Sequence, residues 1–139
     1  MTSEYPDIRI RPNLDPDGKY DWFEVVQTCV VKEMGVSIPE GYITDFASVP
    51  RWLWPLIPPH GRAAGPSVLH DFMYTSKLFS AWLTDDGARA AADLVFYHKL
   101  REIGIKKWQA KAMYWAVRLF GKKRYGNDSR PYRNKKTIL

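Results

Sequence analysis

Three short segments place charged and hydrogen-bonding side chains among apolar neighbours, where they would support catalysis or binding. The first segment, residues 44–51, reads Thr-Asp-Phe-Ala-Ser-Val-Pro-Arg and follows a predicted strand. Loops at strand ends often carry binding and catalytic residues. A simpler explanation for Asp45 is an Asx-turn, in which its carboxylate accepts hydrogen bonds from its own downstream amides. Asp45 and Ser48 are therefore candidate site residues, with a local turn as the alternative.

The second segment reads Val-Leu-His-Asp-Phe-Met-Tyr and is predicted to be helical. His70 and Tyr74 are four residues apart and share one helix face, while Asp71 lies about 100° round the helix. A histidine on a helix is usually a hydrogen-bonded core group. A carboxylate among apolar residues needs a partner, because burying it unpaired is costly. The pattern therefore predicts a partner for Asp71, such as Arg51 or Arg89.

The third segment lies on the next predicted helix, where Arg89 and Asp93 are four residues apart. The ordinary explanation is a surface ion pair, which contributes little to stability. The apolar neighbours of Asp93 favour a partly buried position instead. His98 lies about 140° away from Asp93 round the same helix. We therefore include Asp93 in the candidate site and predict that His98 is a surface residue.

One chemical use of these segments is a metal centre. Asp45, His70 and Asp93 would supply oxygen, nitrogen and oxygen ligands suited to zinc or another divalent cation. Asp71 would then orient the histidine or act as a general base, so His70 and Asp71 are the candidate catalytic residues of a metal-dependent hydrolase. Against this hypothesis, the sequence has no Cys-x-x-Cys spacing, and one imidazole is few for tight zinc binding.

Composition limits the class of protein. The chain of 139 residues is 45% hydrophobic and 14% aromatic, which favours one domain with a compact core. It has no charge-free apolar run of about 18 residues, so no membrane span is expected. The polar N-terminus lacks the apolar segment of a signal peptide. Cys29 is the single cysteine, and its apolar surroundings predict a small buried hydrophobe. A soluble protein is therefore expected.

The net charge of +6 is concentrated near the C-terminus. Residues 121–139 carry seven basic side chains and one acidic side chain, so residues 1–120 are neutral overall. We therefore predict a single α+β domain over residues 1–120 and a basic tail over residues 121–139. The tail suits an anionic partner, including nucleic acid, with Tyr125 and Tyr132 available for stacking. The neutral body argues against sequence-specific recognition of nucleic acid.

The order of predicted elements gives an α+β fold class. Alternating and β-branched residues between residues 8 and 44 predict a small N-terminal antiparallel sheet with a meander-like order. Its longest β-prone run covers residues 20–32. A Pro/Trp-rich loop follows at residues 49–62, because proline fixes φ and removes an amide donor.

About three C-terminal helices are predicted, over residues 67–76, 84–103 and 106–120. Thr84 is the predicted N-cap of the second helix, since its hydroxyl can accept from the first free amides. Gly121 is predicted to end the third helix. The residues of the third helix that are predicted to face the core are Trp108, Ala112, Trp115, Ala116 and Leu119.

The segments together resemble a known family. Residues 41–51, the Pro/Trp-rich loop, His-Asp-Phe-Met-Tyr at 70–74 and Arg-x-x-Ala-Asp-x-x-Phe at 89–96 are similar to the phage and prophage family known as domain of unknown function 1353. The Ala-Val-Arg-x-Phe-Gly run at 116–121 is similar to that family's closing helix. The resemblance implies a phage or prophage origin and a one-domain α+β fold, but no mechanism. Phe72 stands where the family often has tyrosine, so no role rests on a hydroxyl there.

Three functions remain open on this basis. The first is a non-enzymatic virion or assembly component, or a host-directed binding protein, located in the host cytoplasm or the assembled virion. Its polar residues would form a buried network that holds the Trp52/Trp54 loop as a contact surface, unless that loop packs on the protein's own core. The second is a metal-dependent hydrolase, for which peptidoglycan would be a natural phage substrate. The third is nucleic-acid binding through the tail. The predicted binding residues are Ser48, Arg51, Trp52, Trp54, Tyr74 and Arg89.

Overall fold

The computed structural model describes residues 1–14, 21–44, 46, 49–56 and 61–126. Residues 1–45 belong to one compact unit and residues 46–128 to a second. Among the described residues, the first unit contains strands and the second contains three helices, so the predicted α+β class is confirmed. The division into a domain over residues 1–120 and a basic tail stays a prediction.

The described strands of the first unit form two small sheets. One sheet has the order β1-β4-β5, with β1 parallel to β4, and the other has the antiparallel order β2-β3-β6. The single meander expected from the sequence is therefore wrong in detail, because the N-terminal strand pairs with a distant one. The strands are β1 (Thr2–Glu4), β2 (Ile10–Leu14), β3 (Asp21–Val25), β4 (Thr28–Val31), β5 (Val36–Ile38) and β6 (Ile43–Thr44).

The long β-prone run over residues 20–32 divides between the two sheets. The amide of Val25 donates to the oxygen of Tyr42, whereas the oxygen of Val30 accepts from the amide of Tyr5. In β4, Cys29 and Val31 are buried. The prediction that Cys29 is a small buried hydrophobe is confirmed, and burial raises the pKa of its thiol.

Three helices form most of the second unit: α1 (Ala64–Ser76), α2 (Asp85–Glu102) and α3 (Lys107–Phe120). The N-cap prediction for Thr84 is confirmed, since its hydroxyl accepts from the amide of Gly87 at 3.1 Å. Helix α1 begins three residues before the predicted start, directly after a short 3-10 turn, Gly61–Ala63. Pro66 lies in its first turn, where a missing amide hydrogen costs little.

The core of the second unit packs α2 against α3. Helix α2 buries Ala88, Ala92, Phe96 and Leu100. The main buried cluster consists of Val49, Ala63, Phe96, Leu100, Ile105, Ala110, Met113, Ala116 and Val117.

No described helix is long and apolar enough to cross a bilayer.

The orientation predicted for α3 is largely wrong. Trp108 and Trp115 are each 57% exposed and Leu119 is 70% exposed, although all three were expected in the core. Helix α3 carries two apolar stripes, and the stripe with the smaller side chains faces inward. Alanine in that stripe allows closer packing, because helices approach one another most closely where their contact residues are small. The residues of α3 that are buried are Ala110, Met113, Ala116 and Val117.

Candidate functional site: a buried carboxylate that joins three helices

Asp93 lies at the centre of a buried polar network. Its Oδ1 atom accepts from the Tyr74 hydroxyl at 2.6 Å and lies 2.6 Å from Nε2 of His70. Its Oδ2 atom accepts from Nη1 of Arg118 at 2.8 Å and from Nη1 of Arg89 at 3.5 Å. Since an ionised carboxylate only accepts hydrogen bonds, Nε2 of His70 carries the hydrogen in this arrangement. Each oxygen of Asp93 therefore has two donors.

The members of the network come from three helices. His70 and Tyr74 are one turn apart on α1, Arg89 and Asp93 are one turn apart on α2, and Arg118 lies in the last turn of α3. The carboxylate of Asp93 is fully buried, and His70 is 1% exposed. One side chain thus links all three helices of the second unit.

Arg89 also caps the C-terminal end of α3. Its Nη1 atom donates to the backbone oxygen of Val117 at 3.1 Å, and its Nη2 atom donates to the oxygen of Arg118 at 3.3 Å. The last four carbonyl groups of a helix lack partners within that helix. A cation at this end also complements the negative pole of the helix dipole. Arg89 is therefore an anchor for α3 as well as a partner of Asp93.

The network keeps Asp93 ionised and Tyr74 protonated. Burial by itself would raise the pKa of Asp93, but the hydrogen bond and charge of His70, with hydrogen bonds from Tyr74 and Arg118, outweigh it and lower that pKa below its ordinary value. Burial, followed by the neighbouring charge of Asp93, raises the pKa of Tyr74 above its ordinary value. The hydrogen bond to Asp93 raises the pKa of Arg118. Asp93 is therefore an anion held by cationic and neutral donors.

We predict that Asp93 makes stability depend on pH in the acid range. Its pKa is lower in the folded state than in the unfolded state, so its contribution is complete above the unfolded value of about 3.9 and is lost as pH falls through the folded value. Urea unfolding of the wild type and of Asp93→Asn between about pH 5 and about pH 3 measures this contribution. The difference in unfolding free energy between the two proteins should shrink as pH falls. A constant difference would contradict the prediction.

The other predicted site residues lie around this network or in the loop before α1. Asp71 is buried next to His70 on α1. In the loop, the Arg51 guanidinium lies 4.9 Å from the centre of the Trp54 ring, and Nε1 of Trp54 donates to the oxygen of Val49 at 2.8 Å. Trp54 packs against the core cluster, whereas Trp52 is 70% exposed. In the described part of the loop, one tryptophan therefore packs against the core and the other lies at the surface, and a role as a contact surface stays a prediction.

The proposed metal ligands are described only in part. His70 and Asp93 are in direct hydrogen-bond contact, whereas Asp45 lies outside the described residues, as do Ser48 and His60. Within the described part of the chain, no group of three or more His, Cys, Asp or Glu side chains is placed to hold a metal ion. The metal set of Asp45, His70 and Asp93 stays a prediction.

Arg118 is the functional residue that sequence reasoning missed. The sequence pattern over residues 116–121 predicts a closing helix but no role for this arginine. No local sequence pattern indicated this contact, because Asp93 lies 25 residues away on another helix. His98, by contrast, is exposed as predicted.

These features define a small α+β protein whose three helices join around one buried carboxylate. The family model described as "Protein of unknown function (DUF1353)" matches residues 23–117, and the chain belongs to this family. The chain is also 36% identical over 86 residues to "Uncharacterized protein y4jT" of Sinorhizobium fredii. That match covers 60% of this chain and 23% of the relative, so this chain spans about a quarter of the relative's length. No solved structure matches the chain.

Proposed function

We propose that this chain is a non-enzymatic binding protein, acting as a phage or prophage assembly component or as a host-directed binder. The observation that carries the proposal is the state of Asp93. Its carboxylate is fully buried, and four side chains occupy its two oxygens. In this proposal the network is a scaffold, and the function lies on the surface that the scaffold holds in place.

The members of the network are buried and bonded to one another, which supports a structural role. A general acid or base has to reach the reacting group directly or through one water. His70 and Tyr74 are almost completely buried and already bonded to Asp93. Two grooves on the second unit are lined by residues other than His70, Tyr74 and Asp93. The first, of about 290 Å³, includes Arg62, Gly104 and Met113, and the second, of about 420 Å³, is formed by Leu94, Tyr97, Lys111, Tyr114 and Trp115.

The scaffold holds a helix with an aromatic outer face. Arg89 and Arg118 tie α3 to α2, while Trp108, Trp115 and Leu119 project from its other side. Scattered exposed apolar residues are normal, but neighbouring ones on one rigid element mark an interaction surface. Tryptophan is enriched at such surfaces because it combines a large apolar area with a polar N–H group.

Metal analysis and a paired histidine substitution test the proposal. Protein purified without chelator should contain far less than one divalent metal ion per chain, and added zinc or manganese should not raise its Tm. His70→Asn should lower the Tm by several degrees, because it removes a buried charge-assisted hydrogen bond worth about 1.5–3 kcal/mol. His98→Asn is the matched control and should leave the Tm unchanged, since His98 is exposed.

Two results would overturn the scaffold role. One is a stoichiometric metal that disappears in a His70→Asn variant with the wild-type Tm, which would favour the metal-dependent hydrolase. The other is a metal-free protein in which His70→Asn and His98→Asn are equally stable, because a scaffold residue cannot be removed without a loss of stability.

A further inference from the structure

The exposed stripe on α3 is regular and apolar. Trp108, Ala112, Trp115 and Leu119 follow the spacing of four, three and four residues that keeps side chains on one helix face. Trp108, Trp115 and Leu119 are more than half exposed, while Ala112 between them is partly buried. The opposite face of α3 is already packed in the core. The stripe is therefore a second apolar face that the described residues of the second unit leave open.

Two neighbouring features widen this face. Near the end of α3, Phe120 is 47% exposed and its ring makes an edge contact with Trp52, with centroids 5.7 Å apart. Beside Trp115 lies the groove of about 420 Å³, to which Leu94 of α2 contributes; Leu94 is 50% exposed. We call the set of Trp52, Leu94, Trp108, Trp115, Leu119 and Phe120 the α3 face.

Basic residues accompany the α3 face. Residues 106–124 contain seven lysine and arginine residues and no aspartate or glutamate. Arg118 turns inward to Asp93, but five lysines of this segment are exposed to solvent. The exposed lysines are Lys106, Lys107, Lys111, Lys122 and Lys123.

We propose that the α3 face binds the surface of an anionic lipid membrane, as a peripheral contact that does not span the bilayer. This inference rests on the proposed binding function and names its partner. An amphipathic helix with tryptophan and leucine on one face and lysines beside them lies in the plane of the interface between headgroups and acyl chains. Tryptophan prefers that depth, and lysines can extend their ammonium groups to the phosphates.

Charge and side-chain type favour a membrane over the other partners. In a symmetric dimer the same patch would face itself, so lysines would oppose lysines with no acidic residue in the segment to pair with them. Single-stranded nucleic acid would use aromatic stacking, but Leu94 and Leu119 offer no stacking surface. Lipid accommodates aromatic and aliphatic side chains alike.

Co-sedimentation with vesicles tests the inference on the full chain. One set of vesicles is made of phosphatidylcholine alone, and the other contains phosphatidylglycerol mixed with phosphatidylcholine. The wild type should bind the anionic vesicles at least about tenfold more tightly, and added salt should weaken that binding, because exposed charges are screened. Tryptophan fluorescence should shift to shorter wavelength with the anionic vesicles only.

A pair of double variants links binding to the α3 face. Trp115→Ser with Leu119→Ser removes two exposed apolar side chains from the stripe and should abolish vesicle binding while keeping the wild-type Tm. Trp82→Ser with Leu83→Ser is the matched control, since these residues are 81% and 46% exposed and lie before α2. The control should bind as the wild type does.

Other outcomes would overturn the membrane proposal and identify what replaces it. One such outcome is an equal loss of vesicle binding in both double variants. A second is a concentration-dependent dimer that is disrupted by the double substitution Trp115→Ser with Leu119→Ser. A third is tighter binding to an oligonucleotide than to the anionic vesicles. A dimer or a nucleic-acid complex would leave the non-enzymatic binding function intact. The non-enzymatic binding function is tested separately, by the metal analysis and by the Tm values of His70→Asn and His98→Asn.

Discussion

Replacing Asp93 with asparagine is expected to destabilise the protein by about 3–5 kcal/mol, the usual effect of breaking a buried ion pair by removing one partner. The substitution keeps the volume of the side chain but removes its charge. Arg89 and Arg118 then lose the carboxylate oxygen that both contact. An amide NH2 group also presents donors where the carboxylate presented an acceptor. Part of the network is therefore left with donors facing donors.

Chemical denaturation at neutral pH measures this effect as a lower unfolding midpoint. Asp86→Asn is the matched control, because Asp86 is exposed in the first turn of the same helix. Its loss removes only a favourable interaction with the helix dipole, about 0.3–1 kcal/mol. If the two variants lose the same stability, Asp93 is not the centre of a scaffold.

The second large effect is expected from Gly121→Ala, which should destabilise the protein by about 1–3 kcal/mol, the usual range for overpacking a core. Gly121 follows α3 with a right-handed φ of −82°, so alanine is not excluded by backbone conformation. Space is the constraint. A Cβ atom at this position would lie 2.5 Å from the backbone oxygen of Val117, 2.9 Å from the hydroxyl oxygen of Tyr74 and 3.1 Å from the Tyr74 ring. Tyr74 cannot retreat without disturbing its 2.6 Å hydrogen bond to Asp93.

Two comparisons isolate the contact with Tyr74. Gly87→Ala is the control, because Gly87 lies in the first turn of α2 and its nearest neighbour is the Thr84 hydroxyl oxygen at 3.3 Å, so alanine there should cost less than at residue 121. In a double-mutant cycle, Gly121→Ala should cost less in a Tyr74→Phe background, which lacks the hydroxyl oxygen at 2.9 Å but keeps the Val117 backbone oxygen at 2.5 Å. An unchanged cost would show that Tyr74 is not what excludes a side chain at residue 121.

The network shows why residue types alone do not separate a scaffold from an active site. A histidine, a tyrosine and an arginine around an aspartate could serve proton transfer or hold helices together. Accessibility distinguishes the two roles, since a catalytic group needs a route to its substrate. A buried ion pair often adds little net stability, but removing one of its partners is strongly destabilising. Such a pair therefore favours one arrangement of the helices over others.

Local signals in the sequence determined much of this protein. The spacing of apolar residues and the caps predicted three helices, because helical hydrogen bonds and caps involve residues close in sequence. Four of the predicted site residues, His70, Tyr74, Arg89 and Asp93, lie in one hydrogen-bond network, and the first two and the last two are each one helical turn apart. The apolar neighbours of Asp93 predicted a position that is at least partly buried, and its side chain is fully buried.

Only the tertiary structure decided which distant groups meet. The pairing of β1 with β4 and the contact of Arg118 with Asp93 join residues more than twenty positions apart, and no local periodicity encodes such a partner. Helix α3 has two apolar faces, and both satisfy the same helical pattern. The face with Ala110 and Ala116 packs in the core because its small side chains let α2 and α3 lie close together. Trp108 and Trp115, on the other face, are therefore exposed to solvent. The sequence alone therefore revealed the polar centre, whereas packing against α2 decided which face of α3 is open to a partner.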